Sequence, residues 1–281
     1  MAHSLWFWSP IALSSFVYIG SSAFAAPSPV DESPLDSLIP RALRDRIDAR
    51  KSRHSALAVD PLGSFQGSRS ADLRHRDTEV KQQFKARKCA GLHTMVGTCS
   101  TFGLTAAIEN ALGGTVNLSE RQLWSQYCIP SSSAAMESVT QGKGMVDESF
   151  WAQDSLRPQW DYADAARYKV TAAHDLEDSV PAMLAALDAG HPLYFAINTP
   201  SEMYARLPVV SAGSGNTGGG HAVAIVGYRL DDSVEGGGYF LVKNSWGPSN
   251  GENGYQWLSI GYCARPGNYC AAWSIEQISK Y

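Results

Sequence analysis

The sequence predicts an α+β protein with two unlike lobes. Two observations carry that prediction. Apolar residues recur at helical spacing through the first half, and short runs of β-branched and aromatic residues, separated by Gly-rich stretches, fill the second. The chain has 281 residues, of which 44% are hydrophobic and 18% charged, enough apolar material for a sizeable core. The formal charge of −4 provides no overall basic footprint for nucleic acid. No G-X-Y period and no long internal repeat is present, which excludes collagen and solenoid architectures.

Residues 1–25 read as a signal peptide. Leu5 to Phe24 is mostly apolar and ends in Ala23-Phe24-Ala25, an A-x-A site with expected cleavage after Ala25. The only charged candidate before the apolar region is His3. Serines and Pro10 interrupt the stretch, which favours cleavage over an uncleaved membrane anchor. Residues 26–70 begin rich in Pro and Asp and then turn basic, with Ile39, Leu43 and Ile47 at the spacing of a short amphipathic helix. This segment carries seven basic and six acidic residues, against 16 and 21 in residues 71–281. Composition allows two readings, a short pro-segment lying on the acidic body or a flexible linker. The body is expected over 71–281.

Within the body a helix is expected from Thr98, with Phe102, Ala106, Ala107, Ile108 and Leu112 on one face and Gly113-Gly114 as its stop. Ser119 to Gln122 form a capping box for a second helix running toward Cys128. Ser179 to Ala189 forms a third, ended by Gly190. Strands are then expected at 193–198, 222–230 and 239–244, punctuated by the Gly-rich stretches 213–220 and 235–238.

Three segments combine into a chemical constellation. VGTCSTFG places Cys99 just before a helix, where the N-terminal dipole lowers a thiol pKa and unsatisfied N–H groups can bind an oxyanion. GGGHAVAIVGY leads His221 into a strand after three glycines that admit a substrate backbone. YFLVKNSWG puts Asn244 at a strand end, where its amide can fix an imidazole tautomer and Trp246 can shield the bond. A lone Cys, His or Asn in such places is usually structural. It is the ordered set, with these neighbours, that points to thiol catalysis.

These segments resemble the papain-like cysteine peptidases, from about Asp72 to Ile278. The most specific matches are KNSWG (Lys243–Gly247) followed by GENGY (Gly251–Tyr255), with NLSERQL (Asn117–Leu123), VDES (Val146–Ser149) and HAVAIVGY (His221–Tyr228) in the family's order. The resemblance implies a papain-like two-lobe fold, with a helical left lobe, a β-barrel-like right lobe and the active-site cleft between them. It implies Cys99 as nucleophile, His221 as general base and acid, and Asn244 as orienting amide. Peptide bonds would be hydrolysed through an acyl-enzyme.

The family also uses a Gln, normally six residues before the Cys, to complete the oxyanion hole. That position is His93 here, whereas Val80-Lys81-Gln82-Gln83 looks like the family's segment ending in that Gln. An insertion of about ten residues within 84–94, with Gln83 keeping the role, is the favoured reading, and His93 as donor is the alternative. The family's frequent Cys three residues before the nucleophile and Trp directly after it are Val96 and Ser100 here, a pattern closer to bacterial members. Resemblance and sequence order suggest pairings Cys89–Cys128 and Cys263–Cys270, leaving Cys99 as a thiol; four cysteines allow three pairings. Gly219, Gly220, Trp246, Trp273 and Ile275 are expected to line the substrate cleft, giving an apolar S2 pocket.

No nucleotide or metal motif is evident, and Cys263 and Cys270 lack the tighter spacing of a zinc site, so no cofactor and no metal are expected. The expected partner is a polypeptide substrate, with no nucleic acid and no stable membrane association after signal cleavage. The expected protein is a monomer, secreted or periplasmic. Competing readings are a thiol-dependent amidase or transpeptidase acting on non-protein substrates such as cell-wall peptides, and a catalytically silent binding homologue.

Overall fold

The computed structural model describes residues 61–281, apart from 64, 86, 89–94, 128–131, 156–157, 159–164 and 166. The expected signal peptide, the amphipathic helix near Leu43, and Cys89, His93 and Cys128 lie outside the described residues. The strands, in chain order, are β1 (Ser70–Asp72), β2 (Arg87–Lys88), β3 (Met95–Val96), β4 (Tyr168–Asp175), β5 (Leu193–Pro200), β6 (Val209–Val210), β7 (Asn216–Leu230), β8 (Gly238–Lys243), β9 (Tyr255–Ser259) and β10 (Cys270–Lys280). The helices are α1 (Cys99–Ala111), α2 (Glu120–Tyr127), α3 (Ser132–Thr140), α4 (Val180–Asp188), α5 (Ser201–Tyr204) and α6 (Ile260–Ala264).

The helical expectations hold closely. Gly113 and Gly114 both take positive φ and end α1. The Ser119 hydroxyl accepts from the Gln122 N–H at 3.0 Å, the N-terminal half of a capping box for α2. Ser179 caps α4 in the same way through the Ala182 N–H, and Gly190 follows with positive φ. One expectation is corrected. α1 is not amphipathic in effect: Thr101 to Asn110 are buried all round except Ala106. Two of its polar side chains have partners: Glu109 accepts from the Leu118 N–H at 2.7 Å, and Asn110 Nδ2 donates to Leu73 O and to Asp77 Oδ1, both at 2.9 Å.

The right lobe is one sheet in the order β4-β10-β5-β7-β8-β9-β6, with β1 added on β7. All its pairs are antiparallel except β6 with β9. The path is open, since β4 and β6 are not paired with each other among the described residues, so the α+β expectation holds while the barrel-like lobe is a sheet that does not close. The Gly-rich stretch ending at Gly220 does not merely separate strands. Residues 216–220 continue β7, and Gly220 pairs with Asn198 of β5. After Gln83 the chain brings Arg87–Lys88 and Met95–Val96 into a two-stranded antiparallel pair.

The boundary that composition puts at residue 70 falls inside β1. β1 takes the edge of β7 where β5 leaves off: β5 pairs up to Ile225 and β1 from Gly227 to Arg229. A side chain on Gly227 would run into Ala71 O, so the close approach of β1 requires glycine there. Upstream, the Tyr228 hydroxyl lies 2.7 Å from Ser68 O and 3.0 Å from Asp188 Oδ1, while the Phe65 ring meets Tyr228 edge-on.

The lobes meet where α1 lies on the sheet. Residues paired across strands share a face, so Ala196, Ala222, Ala224 and Tyr194 face one side. Ser100 of α1 lies beside Tyr194, so α1 rests on that side, where alanines keep the surface low. A Cβ at Gly103 would come within 2.8 Å of the Ala222 and Val223 backbone. Gly103→Ala must therefore lift α1 off β7. It is expected to cost about 1–3 kcal/mol in chemical denaturation, the usual range for overpacking, and to lower activity in the folded fraction. Unchanged stability and activity would mean that the helix seat is not tight.

Candidate active site

Cys99 opens α1 at the lobe interface. It is partly exposed and takes no part in a disulfide. No side chain caps this helix: the Thr98 hydroxyl donates instead to Phe84 O at 2.5 Å. The N–H groups of the first turn and the positive end of the helix dipole thus surround the thiol, conditions that favour the thiolate. Gly103 lies one turn further along the same face of α1, and a Cβ there would meet the backbone of Ala222, the residue after His221.

His221 is buried, at 5% exposure, near the start of β7. Its Nε2 lies 2.9 Å from Asn244 Oδ1. An amide oxygen only accepts, so Nε2 carries the proton and Nδ1 keeps its lone pair. The imidazole stacks on Trp246, with centroids 4.5 Å apart and planes at 20°, and the Tyr204 ring meets Trp246 edge-on. Burial pushes the His221 pKa down to about 4, an effect the Asn244 hydrogen bond only partly opposes. Standing alone, this imidazole is neutral at pH 7.

Gln83 is pinned to the residue after Asn244. Its N–H donates to Ser245 O at 2.7 Å, and its Oε1 accepts from Ser245 Oγ at 2.6 Å. With Oε1 engaged, the amide Nε2 is the end left to donate elsewhere. The segment is braced from below by Lys81, whose Nζ contacts Glu120 at 2.8 Å, Glu148 at 3.0 Å and Glu109 at 3.7 Å. Lys243, next to Asn244, reaches Asp77 at 3.4 Å. A small cavity is lined by Phe102, Gly103 and Ala106 of α1 together with Lys81, Asn244 and Ser245. Burial would lower the Lys81 pKa, but three carboxylates outweigh it and hold the ammonium charged. Burial raises the Glu120 pKa, and the Lys81 ammonium 2.8 Å away opposes that rise.

The structure therefore brings His221, Asn244 and Trp246 together through direct contacts and joins Gln83 to them through Ser245, while Cys99 opens the helix that packs on β7. Gly219 is buried and Gly220 exposed on the strand leading to His221. Trp273 is 7% exposed and stacks on Tyr194, beneath α1, while Ile275 is fully buried in the core. Cys263 and Cys270 form a disulfide. Sequence reasoning missed Ser245, Lys81 and Gln256. The signal for Gln256 was a lone amide inside the otherwise aromatic and apolar run Tyr255–Leu258. Among the described residues no group of His, Cys, Asp or Glu is placed to hold a metal, and no helix is long and apolar enough to cross a membrane.

Comparison with known proteins gives one family. A family model described as papain family cysteine protease matches residues 68–272. The chain is 45% identical over 89 residues to cathepsin B-like CP3 of Giardia intestinalis, covering 31% of this chain and 29% of that protein. It is 30% identical over 228 residues to the cysteine endopeptidase Rep1 of Oryza sativa subsp. japonica, covering 74% and 59% respectively. The chain thus spans less than two thirds of the length of these curated relatives. Among solved structures, it shares its fold with xylellain, a cysteine protease from Xylella fastidiosa, at a TM-score of 0.57 and 18% identity over 79% of this chain and 91% of that one. Bromelain from Ananas comosus, solved with the E64 inhibitor, matches at a TM-score of 0.56 and 19% identity over 75% of this chain and 100% of that one. The match over 68–272 and the site assembled within it lead to one conclusion: the chain belongs to the papain family of cysteine proteases.

Proposed function

We propose that this chain is a secreted cysteine endopeptidase that cleaves polypeptides through an acyl-enzyme on Cys99. The observation that carries the reading is the shielded His221–Asn244 bond, together with a thiol at an uncapped helix N-terminus. The expected signal peptide and the Cys263–Cys270 disulfide support secretion.

In this reading His221 Nδ1 takes the proton of the Cys99 thiol. The thiolate attacks the scissile carbonyl, and its oxygen becomes an oxyanion held by the N–H groups at the start of α1 and by Gln83 Nε2. The imidazolium returns its proton to the leaving amine, the C–N bond breaks, and a thioester remains on Cys99. Water, deprotonated by His221, then attacks the thioester; the acid leaves and Cys99 regains its proton. Asn244 holds the ring in the required tautomer throughout. A buried imidazole with a low intrinsic pKa becomes cationic only if the thiolate balances it, so the two groups titrate as a pair.

Mature protein with Cys99→Ala, incubated beside wild type with a mixed peptide library and read by mass spectrometry, is expected to release no products. Equal cleavage by both would refute the assignment. Gln83→Ala is expected to lower kcat by roughly 10–10³-fold, the range for losing one oxyanion donor. Ser245→Ala, which frees the Gln83 amide to turn, should reproduce a smaller part of that loss. Full kcat in both variants would remove Gln83 from the oxyanion hole.

Removing the thiolate should also expose the burial of His221. In Cys99→Ala, NMR titration is expected to give His221 a pKa near 4; a value near 6.5 would contradict it. The sign for stability follows. Between the unfolded value of 6.5 and about 4, the unfolded chain binds the proton and the folded chain does not. Stability of this variant is therefore lost as pH falls through that window, by about 3 kcal/mol in total from this group.

A further inference from the structure

The amide of Asn244 is held by a second buried amide that belongs to neither the sequence motif nor the assigned triad. Gln256, on β9, is fully buried. Its Nε2 donates to two backbone carbonyls, Leu207 O at 2.7 Å and Met203 O at 3.3 Å. Carbonyls accept and never donate, so the end of Gln256 facing them must be nitrogen. Its Oε1 then faces the other way, where it accepts from Asn244 Nδ2 and from Asn250 Nδ2, each at 2.9 Å. Asn244 must accordingly present nitrogen to Gln256 and oxygen to His221, whose Nε2 lies 2.9 Å from that oxygen.

We propose that Gln256 is a positioning residue that fixes the tautomer of His221 through Asn244. The order runs outward from the main chain: the carbonyls of Met203 and Leu207 orient Gln256, Gln256 orients Asn244, and Asn244 leaves the proton on His221 Nε2 and the lone pair on Nδ1. Asn250, also fully buried, adds a second donor that holds Gln256 Oε1 in place. The Ser245 N–H donates to Asn244 Oδ1 at 2.8 Å and biases the same orientation. Loss of Gln256 therefore weakens the preference without reversing it. An apolar residue at 256 would leave Asn244 Nδ2 buried without an acceptor, which favours turning that amide toward other partners. A turned amide offers His221 a donor, which draws the lone pair to Nε2 and puts the proton on Nδ1, where the thiol proton has to go. The proposal rests on His221 acting as the base; its first readout does not depend on activity.

The test is Gln256→Leu in full-length protein carrying Cys99→Ala, with ¹⁵N-labelled histidine. NMR above pH 6 reads the His221 tautomer directly. The parent is expected to show the proton on Nε2, and the variant a mixture with a substantial Nδ1–H population. With Cys99 restored, kcat of Gln256→Leu is expected to fall by roughly 10–10²-fold with KM little changed, well short of the loss for a fully wrong tautomer. Asn250→Ala removes a single donor and is the milder variant should Gln256→Leu fold poorly; it should shift the tautomer in the same direction. A parent-like tautomer in whichever of the two folds would overturn the proposal. If the tautomer shifts while neither protein cleaves peptides, the relay stands and the peptidase reading falls.

Discussion

Everything at the cleft depends on how closely α1 approaches β7. Helices packed through ordinary side chains keep their axes 8–10 Å apart. Here Gly103 meets the backbone of Ala222 with no side chain between, and the alanines at 196, 222 and 224 keep the sheet surface low. Cys99 sits one turn before Gly103, and His221 one residue before Ala222. The contact that joins the lobes therefore lies within one turn of the thiol and one residue of the imidazole. A helix enclosed on nearly every side has little room to tilt.

The second constraint is electrostatic. Lys81 and Lys243 each stand beside a side chain of the site, Gln83 two residues away and Asn244 adjacent. Both ammonium groups are tied to carboxylates from the opposite side of the interface or from the segment crossing it. Buried ion pairs contribute little net stability against an apolar replacement, but removing one partner is costly, because the other charge is stranded. That asymmetry favours one arrangement of the crossing segment and so one placement of Gln83 over the cleft.

Much of the site was legible because its residues carry recognisable neighbours: a Cys before a helix, a His after three glycines, an Asn followed by Ser-Trp-Gly. The three helix starts and stops were legible for the same reason, since caps and glycines act locally. What was not legible depends on tertiary contact. Gln256 stands out as a lone amide in an apolar run, but its role shows only once Leu207 and Met203 are seen beneath it. Residues 216–220 read as punctuation because glycine is a poor strand former, yet β5 supplies the ladder that holds them. β4, β9 and β10 alternate too weakly to be recognised, with His174, Gln256 and Gln277 breaking their apolar pattern. α1 looked one-sided because Glu109 and Asn110 are polar, and only the partners at Thr78, Leu118, Leu73 and Asp77 explain why they are buried.

The Cys263–Cys270 bridge spans a sequence separation of only seven. In the chain-entropy account, closing so small a loop restricts the unfolded chain by about 2.5 kcal/mol, against about 4.7 for a loop of one hundred residues. The bridge stiffens the turn at 264–269, which meets the start of β7 where Asn216 Nδ2 reaches Gly267 O at 3.4 Å. It does not cross between the lobes. Opening it would loosen this turn, while the lobes stay joined by the helix seat and the buried ion pairs.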